Sequence, residues 1–104
     1  MKLKKNKGVV FWITGLSGSG KTTLAKLIYK FIDKKYGPTI IISGDDLREL
    51  FRLNKFDKIS RLKYAQQYSY FCKTIVDQNI NVIFATVSLF NKIRNWNRKN
   101  IDNY

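Results

Sequence analysis

The chain has 104 residues, 44% of them hydrophobic, and a formal net charge of +13; that is enough core for one domain and excludes a disordered tail. A single cysteine excludes an internal disulfide framework and fits a reducing compartment, and the lack of histidine excludes an imidazole base, a His-based metal site or a Ser-His-Asp triad. No apolar run reaches the length of a membrane span, no signal peptide is read at the basic start, and a cytoplasmic address is expected.

Residues 1–7 read as a basic tail carrying Lys2, Lys4, Lys5 and Lys7. The other basic residues are scattered, as on a solvated surface, so no dedicated nucleic-acid site and no membrane partner are expected. Val9-Val10-Phe11-Trp12-Ile13 is a β-branched and aromatic run of the kind buried on both faces of a parallel sheet. After a glycine-rich turn, Leu24, Leu27, Ile28, Phe31 and Ile32 recur at helical spacing, with Lys26, Lys30 and Lys34 on the other side. Gly37-Pro38 ends that helix. Thr39 to Ile42 reads as a second strand, closing at Ser43-Gly44-Asp45-Asp46, where an aspartate caps a short helix from Leu47 to Leu53. Asn54 to Ile59 reads as a loop, and Ser60 as the cap of a longer helix with Leu62, Ala65, Ser69, Cys72, Ile75 and Val76 on one face, ending near Asn79. Asn81 to Thr86 is a third strand and Asn91 to Asn100 a last helix. Strands alternating with helices imply an α/β fold with a parallel sheet and right-handed crossovers; a phosphate-loop motif between the first strand and the first helix makes the expectation a three-layer P-loop NTPase type.

Residues Gly15-Leu16-Ser17-Gly18-Ser19-Gly20-Lys21-Thr22 satisfy G-x-x-x-x-G-K-[ST] between the first strand and the first helix. Gly15, Gly18 and Gly20 lack a Cβ, so the backbone can bring its N–H groups onto phosphate oxygens. The helix that follows adds unpaired N–H donors and the positive end of its dipole. Lys21 supplies a cation to the β and γ phosphates, Thr22 a hydroxyl to magnesium, and Thr23 completes the ATP-binding stretch. ATP and Mg2+ are the expected cofactors. The third strand ends Ala85-Thr86 without the carboxylate of a motor or transporter ATPase. A GTPase would be expected to show a guanine-reading N-K-x-D motif; none is read here, and a small-molecule kinase is the expectation that remains.

Residues 15–25 resemble the P-loop of adenylylsulfate (APS) kinases, which phosphorylate the 3′-hydroxyl of adenosine 5′-phosphosulfate in sulfate assimilation. Gly44-Asp45-Asp46-Leu47-Arg48 resembles that family's G-D-N-[IL]-R, and Val87-Ser88-Leu89-Phe90 sits where it carries I-S-P-[YF]. The resemblance implies that Asp45 orients or deprotonates the attacking hydroxyl and helps hold magnesium. It also implies that Arg48 faces an anionic group of the acceptor, that Phe56 stacks on a base, and that Arg61 contacts substrate. Ser88 matches the family's phosphoserine position and is read as site-lining. The family's D-R-x-x-N-I-R-R falls on residues 60–67, where only Arg61 is kept. Those positions read the acceptor; the resemblance implies transfer of the ATP γ-phosphate to adenosine 5′-phosphosulfate, with a kinase for another nucleotide-type acceptor such as cytidine diphosphoramidate as the alternative.

The family's five-stranded fold places the first strand centrally. With three strands before Tyr104, Val9 to Ile13 is expected at an edge of an incomplete single P-loop kinase domain spanning 1–104. Weak turnover by the isolated chain is expected, with an inactive nucleotide-binding fragment as the alternative. The expected partner is a small-molecule nucleotide, and homo-oligomerisation of a full-length form is left open.

Overall fold

The computed structural model describes residues 7–14, 21–86 and 91–104, without the side chains of Lys21, Thr22 and Asn91. In chain order the elements are β1 (Val10–Thr14), α1 (Lys21–Tyr36), β2 (Thr39–Ser43), α2 (Gly44–Leu50), α3 (Lys58–Val76), β3 (Asn81–Thr86) and α4 (Asn91–Asn100). The sheet order is β1-β3-β2 and both pairings are parallel. Val10 stands opposite Val82 on one side of the central strand, and Ile40 opposite Val82 on the other. This is the α/β parallel-sheet architecture expected, with the first strand at an edge of the described sheet.

Alternation along β3 builds the two halves of the core. Ile83 packs with Ala25 and Ile32 of α1, against Phe11, Ile13, Ile28 and Tyr29. Val82 and Phe84 point the other way, onto Tyr68, Cys72 and Val76 of α3, with Val10, Leu47 and Ile101 completing that cluster. All six residues of β3 are buried, whereas residues 11–14 of β1 are only partly so. The strand buried on both faces is therefore β3, with α1 over one face, α3 over the other and a strand at each edge.

The register of α1 also differs from expectation. Leu27 and Phe31 are 71% and 62% exposed and Leu24 is exposed beside them, while Ala25 and Ile32 are buried. The helix turns its Ala25–Ile28–Ile32 stripe to the sheet because those residues lie over β3 and β2. Gly37 takes φ +101°, and its N–H bonds the Asp33 carbonyl at 3.0 Å, which ends α1 as Gly-Pro implies.

Two helix starts are corrected. Ser43, not an aspartate, caps α2: its Oγ accepts from Asp46 N–H and the Asp46 carboxylate accepts from Ser43 N–H, both at 3.0 Å, so α2 begins at Gly44 rather than Leu47. Asp57, not Ser60, caps α3, its carboxylate accepting from Ser60 N–H at 3.0 Å. That bond holds the Asp57 carboxyl below its ordinary pKa.

Asn81 ties three segments at the amino end of the sheet. Its Oδ1 accepts from Val9 N–H at 2.9 Å, and its Nδ2 donates to Gly37 O at 3.3 Å and to Thr39 Oγ1 at 3.4 Å. The Lys7 and Lys73 ammonium groups both reach Asp77, at 3.3 and 2.6 Å. The Lys73 bond is the main reason the Asp77 carboxyl is held below its ordinary range. Residues 101–104 run beside the outer side of β1, where Val10 N–H donates to Asn103 O at 2.8 Å and the Trp12 and Tyr104 rings stand 6.5 Å apart.

Candidate phosphoryl-transfer site

β1 ends at Thr14 and α1 starts at Lys21, so six residues connect a parallel strand to a helix N-terminus. That arrangement turns backbone N–H groups and the positive helix end toward the carboxyl edge of the sheet, where open α/β sheets bind their ligands. The connecting residues Gly15, Leu16, Ser17, Gly18, Ser19 and Gly20 lie outside the described residues, as do Ser88 and the side chains of Lys21 and Thr22. Thr23 is exposed in the first turn of α1.

At the same edge, β2 ends at Ser43 and α2 follows without a loop. The two carboxylates of its first turn divide the work. Asp46 is taken by the capping box with Ser43. Asp45 is exposed and stands outside that cap, so its carboxylate is available to a ligand in a way that Asp46 is not.

Arg48, one turn on, is partly buried. Its guanidinium carbon lies 4.2 Å from the Phe56 ring centroid and 5.6 Å from that of Tyr64, and Nη2 donates to the Lys55 carbonyl at 3.3 Å. The Tyr64 hydroxyl accepts from Lys55 N–H at 3.2 Å. The loop between α2 and α3 is thus held from both sides, and Arg48 and Phe56, expected to contact different parts of an acceptor, stack on each other. Stacking at such an exposed position contributes about 0.5–1 kcal/mol. Phe56 is still 72% exposed. Arg61 is exposed on the first turn of α3.

Residues 54–57, Asn-Lys-Phe-Asp, carry the letters of the guanine-reading N-K-x-D motif, so a GTPase is not excluded on letters alone. By placement those residues join α2 to α3 instead of following a strand, and Asp57 serves as the N-cap of α3, with Oδ2 accepting from Ser60 N–H.

The sequence pattern singles out neither of two tyrosines at this corner. Tyr64 falls among the departures from the family motif, yet its hydroxyl holds the Lys55 backbone. Tyr68, one turn further on, is 5% exposed and its hydroxyl has no hydrogen-bond partner among the described residues. A buried polar group left unpaired costs about 1–3 kcal/mol. Burial raises the phenol above its ordinary pKa; the nearby Arg48 charge opposes that shift and Asp45 reinforces it. The ring also lines an open groove of about 380 Å³ between α2 and α3, with Leu47, Phe51, Leu53, Gln67 and Phe71. The sequence signal was available: two tyrosines four apart on a helix share a face.

Comparison with known proteins agrees with this geometry. Residues 7–104 match the adenylylsulphate kinase family. The chain is 40% identical to the cytidine diphosphoramidate kinase of Campylobacter jejuni, over 96% of this chain and 59% of that protein. It is 37% identical to an adenylyl-sulfate kinase of Clostridium acetobutylicum, over 94% of this chain and 50% of the relative. Among solved structures, the Mycobacterium tuberculosis APS kinase CysC in complex with AMPPNP and APS aligns with a TM-score of 0.78 at 29% identity, covering 89% of this chain and 54% of that one. The chain spans about half the length of the curated relatives it matches. By fold, motif and sequence, it belongs to the adenylylsulphate kinase family.

Proposed function

We propose that this chain supplies the donor site, and the start of the acceptor site, of an ATP-dependent kinase. It transfers the γ-phosphoryl group to a hydroxyl of a nucleotide-type acceptor, with cytidine diphosphoramidate preferred over adenosine 5′-phosphosulfate. The observation that carries the reading is the exposed Asp45 carboxylate, outside the α2 capping box, at the same carboxyl edge of the sheet from which β1 leads toward α1. The acceptor preference is supported by the 40% identity to a cytidine diphosphoramidate kinase and by the replacement of the acceptor-reading stretch at residues 60–67.

In this reading residues 15–20 hold the β and γ phosphates through backbone N–H groups, and Lys21 neutralises the charge that builds on them. Magnesium, held by Thr22 and Asp45, supplies further neutralisation of the phosphate oxygens when bound. One or two protein oxygens suffice for that ion, because it keeps waters and phosphate oxygens as its other ligands. Asp45 also orients the acceptor hydroxyl and takes its proton. The new bond forms between that oxygen and the γ phosphorus, and the bond to the β–γ bridging oxygen breaks, its electron pair leaving with ADP. Arg48 meets an anionic group of the acceptor and Phe56 its base. Ser88 lines the site and Arg61 adds a positive charge at its rim.

Isothermal titration of the chain with ATP and magnesium, wild type against Lys21→Ala, tests the donor half. Binding by wild type, weakened at least about tenfold in the variant, is expected from loss of a charge-assisted phosphate contact. Equal binding by both proteins, or by neither, would refute it. Phosphorylation assays with the two acceptors then rank them, and transfer to adenosine 5′-phosphosulfate alone would reverse the preference proposed.

A further inference from the structure

We propose that the Tyr68 hydroxyl is a specificity-determining contact to the acceptor, donating a hydrogen bond to an anionic oxygen of that nucleotide's phosphate groups. The inference rests on the acceptor reading given above and adds to it a residue outside the family motif, which ends at Gln67.

Three features lead there. The first is an orphaned donor. Tyr68 is buried to within 5% of its surface and its hydroxyl has no partner among the described residues, although a phenylalanine would fill the same space without that penalty. The second is position. The Tyr68 ring stands 5.4 Å from that of Phe84, and a Cβ on Gly44 would come within 3.4 Å of its Cε2 and 3.0 Å of Thr86 Oγ1. The ring therefore lies where the carboxyl ends of β2 and β3 meet the first residue of α2. Parallel α/β sheets take their ligands at this edge. Gly44 permits the approach because it has no side chain.

The third feature is the chemistry of the neighbours. Asp45 and Arg48 are close enough to act on the phenol with opposite sign, and burial keeps it protonated and so a donor. A neutral donor beside a guanidinium suits an anionic oxygen, which needs a hydrogen bond without a second full charge. A site built to donate to a substrate oxygen discriminates strongly, because its donor is left unpaired by any ligand lacking that oxygen.

The test is Tyr68→Phe in the 104-residue chain, with Tyr70→Phe as control, since Tyr70 is 55% exposed on the same helix. Thermal unfolding is followed for each, and calorimetric binding is measured for ATP with magnesium, cytidine diphosphate and adenosine 5′-phosphosulfate. Tyr68→Phe is expected to unfold at the same or a higher temperature, to bind ATP unchanged, and to bind the acceptor-type nucleotide about tenfold more weakly. Tyr70→Phe should alter none of these. Unchanged acceptor affinity in a Tyr68→Phe protein that is as stable or more so would overturn the inference. A clear fall in unfolding temperature would also overturn it, since the hydroxyl would then have a structural partner. If wild type binds ATP but neither acceptor-type nucleotide, the acceptor reading itself fails and this inference falls with it.

Discussion

Asp45 and Asp46 are adjacent, both acidic, and both in the first turn of α2, yet their contacts assign them opposite consequences. Asp46→Ala removes the acceptor of the Ser43 N–H bond, one of the two 3.0 Å bonds of the capping box. That is worth about 0.5–1.5 kcal/mol as a hydrogen bond, with about 0.3–1 kcal/mol more from a negative charge at a helix N-terminus. The sum is about 1–2 kcal/mol, and at about 4–8 °C per kcal/mol for a domain this small, the midpoint should fall by about 5–15 °C. Asp45→Ala forfeits only the dipole term, in an exposed position where solvent and salt weaken it. Its midpoint should move by no more than about 4 °C. Binding should show the reverse pattern. Well below both midpoints, Asp46→Ala should keep the gain in ATP affinity that magnesium confers, while Asp45→Ala loses most of it. Circular dichroism melts and calorimetric ATP titrations with and without magnesium measure both quantities. Equal destabilisation by the two substitutions, with ATP binding by Asp45→Ala still enhanced by magnesium, would refute the division and leave Asp45 a helix-terminal charge.

Two further outcomes follow from the core. Asn81→Ala strips Val9 N–H of its partner and cuts the side-chain ties to Gly37 and Thr39. A loss of about 2–4 kcal/mol is expected, read as a fall in the urea midpoint, with ATP affinity unchanged below the transition because Asn81 lies at the opposite end of β3 from the site. Cys72 is fully buried, and burial pushes its thiol up to about 12. Near pH 8 the folded protein should therefore resist a thiol reagent and label at the rate of global unfolding; rapid labelling under native conditions would contradict the packing of α3 on β3.

How much of this was legible in the sequence varies with how local the cause is. β3 and α4 lie at the residues expected, because an uninterrupted apolar run from Val82 to Ala85 and a separate helical stretch need no information from elsewhere in the chain. The end of α1 was equally plain, since Gly37 and Pro38 act through their own backbone geometry. The helix starts were off by a few residues because Ser43, Asp45 and Asp46, or Asp57 and Ser60, are all good capping residues, and only hydrogen-bond geometry chooses among them. The buried stripe of α1 was misjudged for a different reason. Leu24, Leu27 and Phe31 are as apolar as Ile28 and Ile32, and which stripe is covered depends on where the sheet lies.

The candidate site divides along the same line. The phosphate motif and its strand-helix setting are short-range features, so residues 15–22 and the kinship they imply were readable from letters alone. The division of labour between Asp45 and Asp46, the stacking of Arg48 on Phe56, and the orphaned hydroxyl of Tyr68 are contacts between α2, α3 and the sheet. Sequence alone carried the phosphate-binding motif, the kinship with the adenylylsulphate kinase family and the parallel α/β type, because that motif and those elements are built from neighbours. Tertiary structure decided, among the described residues, which carboxylate stands outside the cap and which buried tyrosine hydroxyl lacks a partner, because a side chain's availability is set by what the rest of the fold brings against it.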